Sequence, residues 1–84
     1  MAYKIVLKPS ASKDLDFLPI KEVQKIAKLI LQLANNPRPP GVQKLTDKEG
    51  YRIRSGKYRI LFEINDKLQL IHVFRVKHRK DVYK

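Results

Sequence analysis

The stretch Tyr51-Arg52-Ile53-Arg54-Ser55-Gly56-Lys57-Tyr58-Arg59-Ile60-Leu61-Phe62-Glu63-Ile64 decides the fold. On both sides of Ser55-Gly56 its hydropathy has a period of two, the pattern of a strand with one dry and one wet face. A glycine-containing break between two such runs reads as a β-hairpin. Alternation places Tyr51, Ile53, Tyr58, Ile60, Phe62 and Ile64 on the face toward a core, and Arg52, Arg54, Lys57 and Arg59 on the other. With Ser55-Gly56 as a two-residue loop, Arg54 stands opposite Lys57 and Arg52 opposite Arg59. Like charges directly opposite each other destabilise a sheet.

Four cations on one small patch suit an anion-binding face. The competing reading is a solvated outer face in a chain that is basic throughout. The prevalence of arginine favours the first, because a planar guanidinium fork matches phosphate. Glu63 is the one carboxylate on that face, an ion-pair partner or, as a second reading, a base. Tyr51 and Tyr58 resemble base-stacking residues, but parity assigns them to the core.

Working outward, Asn65-Asp66-Lys67 makes a turn, and Leu68 to Val76 forms a nearly all-apolar strand suited to the middle of a sheet. Its lack of alternation leaves its register open. Upstream, Val42-Gln43-Lys44-Leu45 is a short extended piece followed by a turn over 46–50. Residues 35–41, rich in Asn, Pro and Gly, are an internal crossover. A helix is expected from about Pro19 to Ala34, with Val23, Ile26, Ala27, Ile30, Leu31 and Ala34 recurring at three and four residues. Proline suits its first turn. A shorter helix begins near Ala11, capped by Ser10 or Ser12, with Leu15 and Leu18 facing inward and Phe17 beside them. Residues 3–8 favour a strand. The predicted order is an N-terminal strand, a two-helix hairpin over one sheet face, then a three- to four-stranded antiparallel sheet. This is a single α+β domain over residues 1–84.

The 84 residues include 19 Lys+Arg against 8 Asp+Glu, a formal net charge of +11. That excess points to nucleic acid, an anionic membrane or an acidic protein as partner. Neither helix pairs a strongly basic face with bulky aromatic anchors, which argues against a membrane. No apolar run is long enough to span one, and the opening residues do not form a signal peptide. A soluble, cytoplasmic protein is expected. There is no cysteine, so disulfides and thiolate chemistry are excluded. His72 and His78 cannot alone build a zinc site. No metal or cofactor is expected, and no Ser/His/Asp set, phosphate loop or carboxylate pair can be assembled.

The chain ends Arg75-Val76-Lys77-His78-Arg79-Lys80-Asp81-Val82-Tyr83-Lys84. A frayed basic terminus is the common case, although Val82 and Tyr83 offer something to dock. His78 could move a proton near neutral pH; alone in a basic tail it more often is simply solvated. His72, within the third strand, reads as structural.

On these residues the chain resembles the RelE/ParE superfamily of type II toxin–antitoxin toxins, and within it the RelE branch. The resemblance runs nearly end to end. It rests on the N-terminal strand, the helical hairpin, the loop Asn36-Pro37-Arg38-Pro39-Pro40-Gly41 leading to Lys44-Leu45, the hairpin from Tyr51 to Arg59, and the ending from Arg75 to Tyr83. It implies a compact antiparallel sheet carrying two helices, like that of microbial ribonucleases. It also implies a metal-independent endoribonuclease, an mRNA interferase that cuts mRNA in the ribosomal A site by attack of a ribose 2′-hydroxyl on the adjacent phosphate. Translation and growth are inhibited.

The site residues it implies are Arg52, Arg54, Arg59, Arg79 and Tyr83, with His78 beside them. Arg59 and Arg79 are expected to neutralise the developing phosphorane. Arg52 and Arg54 are expected to position the RNA backbone, and Tyr83 to stack on a base or orient the attacking group. The first two hairpin positions can be lysine in relatives. Arginine stays protonated, which weakens any role for them as base. The proton acceptor stays open among His78, Glu63 and ribosomal RNA. The implied partners are a cognate antitoxin, the ribosome and mRNA. Two rivals are a ParE-like toxin that poisons gyrase and a non-catalytic RNA-binding module of the same fold. ParE-like relatives generally lack the arginine and tyrosine set.

Overall fold

A computed structural model describes residues 2–46, 48–78 and 80. The elements are β1 (Lys4–Leu7), α1 (Pro9–Asp16), α2 (Ile20–Asn35), β2 (Gln43–Lys44), β3 (Tyr51–Ser55), β4 (Tyr58–Asn65) and β5 (Leu70–His78). They form one five-stranded sheet in the order β1-β5-β4-β3-β2. Only β1 runs parallel to its neighbour, β5; the other pairs are antiparallel. The α+β architecture is as expected, with one strand more than the sheet's expected upper count once β1 and β2 both join it.

Both helices begin at prolines, but not as the capping expectation had it. Helix α1 starts at Pro9, with Lys8 as its N-cap and no side-chain cap. Proline at the first helical position forfeits only a donor that no helical carbonyl could have used. The expected cap Ser10 lies inside the helix, and its hydroxyl donates to the carbonyl of Phe74 (2.6 Å). Helix α2 follows Pro19, whose carbonyl accepts from the backbone N–H of Glu22 and Val23. Glu22 in the first turn complements the helix dipole.

Helix α2 lays Ile26, Ile30 and Leu33 on one sheet face, against Ile53, Ile60, Phe62, Ile71, Val73 and Val76. Ala11 of α1 joins this core, and Leu15, Leu18, Tyr51 and Tyr58 pack at its margin. Phe17 is 86% exposed, not beside the two inward leucines as expected. It caps α1 through its backbone N–H and stands at the joint between the helices.

The hairpin turn is Gly56-Lys57, not Ser55-Gly56. Ser55 pairs with Tyr58, and Arg54 pairs with Arg59. The physical reason is Gly56, whose φ of 59° suits the first central position of a hairpin turn. Moving the turn by one residue moves each partner by two. Face assignment therefore survives, while Arg52 now opposes Leu61 and Lys57 leaves the strand for the turn.

Strand β5 begins at Leu70, two residues later than expected, and runs to His78. Leu61 pairs with Arg75, but Phe62 pairs with Val73, so Phe74 is an extra residue in β5. Such a bulge reverses the alternation on its strand. Before it, Ile71 and Val73 face the core; after it, Val76 and His78 do, while Arg75 and Lys77 turn to the opposite face.

Strand β1 pairs with β5 only as far as Val73. Beyond that point α1 covers the open edge. Besides the Ser10 contact, Asp14 Oδ2 accepts from the Val76 backbone N–H (2.8 Å) and from Arg75 Nε (2.8 Å), and Oδ1 accepts from Arg75 Nη2 (3.2 Å). Sheet edges invite other chains unless covered, and here a helix supplies both the acceptor and the cover.

Burial alone raises the Asp14 carboxyl pKa, but the hydrogen bonds from Arg75 and Val76 outweigh it and hold the group below its ordinary value. A depressed folded-state pKa contributes stability that is complete above the unfolded value of about 3.9 and is lost as pH falls through the folded value. Thermal melts of the wild type should therefore lose stability below about pH 4 more steeply than those of Asp14→Asn. At neutral pH the variant should be about 1.5–3 kcal/mol less stable. Parallel pH profiles for the two proteins would contradict this role.

Candidate nucleic-acid interface

The face away from α2 is built by the outward positions of β2 to β5. In register across the sheet, Arg54 opposes Arg59 and Arg59 opposes Lys77. The adjacent row is Gln43, Arg52, Leu61 and Arg75. Three arginines, Arg52, Arg54 and Arg59, line a groove of about 380 Å³ together with Gly41, Gln43 and Ile53. Among the described residues, no carboxylate lines it. A larger concavity of about 540 Å³ lies along Lys44 to Tyr51 and mixes Lys44 and Lys48 with Glu49 and Glu63.

The three arginines differ in setting. Arg59 is 3% exposed, so its guanidinium sits in the floor. Arg52 is half-buried and Arg54 is exposed at the rim. Arg52 donates from Nε (3.1 Å) and Nη2 (2.8 Å) to Oε1 of Gln43.

The crossover loop that brings Gly41 and Gln43 here is fastened at its root. Arg38 donates from Nη1 (3.2 Å) and Nη2 (2.9 Å) to Asp66 in the β4–β5 turn. It also lies over the Tyr51 ring, 5.3 Å from the centroid. Tyr3 donates its hydroxyl to Asp66 Oδ1 (2.7 Å). These hydrogen bonds hold the Asp66 carboxyl below its ordinary pKa and the Arg38 guanidinium above its own. Hydrogen bonding to Asp66 likewise raises the Tyr3 phenol.

The other candidates fall elsewhere. His78 pairs with Tyr58, and the rings meet edge to face with centroids 5.4 Å apart. That puts His78 on the helix-bearing face, so the structure does not bring it to the arginines. Its Nδ1 accepts from the Lys80 backbone N–H (3.2 Å). Glu63 and His72 pair with each other at the other end of the sheet. Glu63 is four residues along β4 from Arg59, roughly 13 Å of extended chain, so it is no base for this groove. Arg79 and Tyr83 lie outside the described residues. Among the described residues, no group of three or more His, Asp or Glu side chains could hold a metal ion, and no helix is long and apolar enough to cross a membrane.

Two residues escaped the sequence reading. Lys77, taken as part of a basic tail, stands in β5 across from Arg59. Gln43, taken as part of a short extended piece, stands in β2 across from Arg52. The phase of β5 depends on a bulge, and a two-residue edge strand has no periodicity, so neither left a signal. A surface that gathers fixed positive charge without acids is suited to a phosphodiester backbone, with phosphate gripped by guanidinium forks.

Residues 5–83 match the family model described as the ParE toxin of the type II toxin–antitoxin system, parDE. The chain belongs to the RelE/ParE superfamily of type II toxins. Its relatives place it in the RelE branch. It is 28% identical over 86 residues to toxin RelG of Mycobacterium tuberculosis, covering 100% of this chain and 99% of that protein. It is 31% identical over 78 residues to toxin RelE of the same organism, covering 87% of this chain and 80% of that one. Its fold is similar to a chain of the RelBE2 toxin–antitoxin complex from Mycobacterium tuberculosis, with a TM-score of 0.83, 26% identity, and coverage of 94% and 100%.

In this RelE-type toxin the transverse row Arg54, Arg59, Lys77 sets like charges directly opposite one another. Like charges directly opposite are unfavourable by about 0.2–1 kcal/mol per pair. Replacing the exposed member, Arg54→Thr, should therefore raise stability by about 0.5 kcal/mol in urea denaturation. A stability equal to or below that of the wild type would show that the row is not repulsive.

Proposed function

We propose that this toxin is a ribosome-dependent endoribonuclease that cleaves mRNA in the A site and so arrests translation and growth. The carrying observation is the groove that gathers Arg52, Arg54 and Arg59. In the reaction, a ribose 2′-oxygen forms a bond to the adjacent phosphorus as the bond from phosphorus to the 5′-oxygen breaks. The 2′-hydroxyl loses its proton to an acceptor, and the leaving 5′-oxygen takes one up.

Arg59, buried and pre-oriented, neutralises the charge that develops on the phosphorane; fixed donors in a desolvated floor are worth most at that moment. Arg52 and Arg54 hold the flanking backbone, and Lys77 adds charge behind Arg59. The family resemblance assigns Arg79 a share of the phosphorane charge and Tyr83 the stacking or orienting of the reacting nucleotide. On the described face no imidazole or carboxylate reaches the groove. That favours an acceptor from ribosomal RNA and gives a physical reason for ribosome dependence. His78, turned to the Tyr58 face, is the weaker choice.

The partner that restrains the toxin is proposed to be a cognate antitoxin whose acidic segment covers the groove. The similar RelBE2 structure is itself a toxin–antitoxin complex. The test is cleavage mapping with purified toxin on programmed ribosomes, with free mRNA as control. Arg59→Ala should slow cleavage by about 10²–10³-fold and abolish growth arrest. Cleavage of free RNA alone would overturn ribosome dependence. DNA damage signalling with translation intact would favour the gyrase reading suggested by the ParE description of the matching family model.

A further inference from the structure

We propose that Gln43 is a positioning residue of the groove, orienting Arg52 toward RNA phosphate without neutralising it; this rests on the RNA-cleaving function proposed above. Among contacts between described side chains, Arg38, Arg75 and Arg52 are each gripped on two nitrogens at once. Arg38 is gripped by Asp66 and Arg75 by Asp14. Both pairs fasten one part of the fold to another, and in both a carboxylate cancels the charge. Of these three, Arg52 is held by an amide instead, through Nε and Nη2 on the single oxygen of Gln43. It is also the one of the three that lines the arginine groove.

The chemistry explains the choice. An arginine has five N–H donors in a planar fork. Gln43 occupies the side-on edge, formed by Nε and Nη2. The end-on edge, formed by Nη1 and the second Nη2 hydrogen, stays available for a bidentate phosphate contact. An unheld arginine would have to lose rotamer freedom on binding; here part of that ordering precedes it. A carboxylate at the same place would order the side chain equally but remove one unit of charge where the ligand needs it.

The placement of Gln43 comes from the fold. Gln43 opposes Arg52 in the two-residue strand β2. That strand is carried by the crossover loop, which Arg38 ties to Asp66 and to Tyr51. The pin at one end of the loop thus sets the amide at the other.

Two variants separate orientation from charge. Gln43→Met keeps the length of the side chain and removes the acceptor. Gln43→Glu keeps the acceptor and adds a negative charge. Binding to a single-stranded RNA oligonucleotide is measured across salt concentrations, and single-turnover cleavage is measured on programmed ribosomes. Gln43→Met should leave the salt slope unchanged and lower the saturated cleavage rate about tenfold. Gln43→Glu should keep the saturated rate within a few fold, weaken binding, and reduce the salt slope by about 0.7, the loss of one phosphate contact. In an Arg52→Ala background, Gln43→Met should have no further effect.

Wild-type behaviour of both Gln43 variants, in a protein that binds and cuts RNA, would overturn this assignment alone. So would equal losses in both variants on both readouts, which would mark a purely structural role for the edge strand. A wild type that neither binds the oligonucleotide nor cuts on ribosomes would overturn the proposed function and this assignment together.

Discussion

A single extra residue, Phe74, sets the chemistry of both sheet faces. It lies in β5 opposite the step from Leu61 to Phe62, and it reverses the phase of everything after it. Without that reversal, the alternation begun by Ile71 and Val73 would carry Arg75 and Lys77 into the core. Val76 and His78 would face outward. Burying two cations without partners costs far more than a local break in a ladder. The bulge lets one strand stay apolar on the α2 side through Ile71, Val73 and Val76, with His78 at its end, and turn basic on the other side only at Arg75 and Lys77.

The two ends of the outer face consequently differ. Toward the β4–β5 turn, Glu63 and His72 share the surface with the loop that follows β2. Gly50 lets that loop approach β4 closely: its φ is 126°, and a Cβ there would lie 3.0 Å from the carbonyl oxygen of Phe62. Toward the β3–β4 turn, the described outward side chains in register are Arg54, Arg59 and Lys77. The repulsion among them is tolerated because the opposite face carries the cohesion, with Ile26 and Leu33 of α2 fully buried against Ile60, Phe62, Ile71 and Val73. A chain of this size has little surface to bury. Like charge is concentrated on the outer face and apolar contact on the other.

The arginines also sort by partner. Arg38 and Arg75, which hold the fold together, meet aspartates, and Arg52, in the groove, meets glutamine. Such sorting leaves the Arg52 charge uncancelled in the groove and cancels the charges of Arg38 and Arg75 where the fold is fastened. A strongly basic chain can in this way fold tightly and still present a concentrated field.

Much of this could be read in the residues themselves. Alternation over Tyr51 to Ile64 determined which side chains share a face, because a period of two survives an error of one residue in the turn. Proline and the three-four spacing that includes Ile26 and Ile30 marked α2, although Leu31, expected on that stripe, is 66% exposed and Leu33 takes the buried place instead; clustered arginines marked the groove. The exact cross-strand partners were not legible, since Gly56 could occupy either turn position until its left-handed φ was known. Nor was the parallel pairing of β1 with β5, the glutamine beside Arg52, or the side on which Lys77 and His78 emerge. These depend on which strands meet and on where a strand accommodates one residue too many. A nearly all-apolar run such as Leu68 to Phe74 shows too little alternation to choose a face by itself, so only its packing against α2, β4 and β1 could choose.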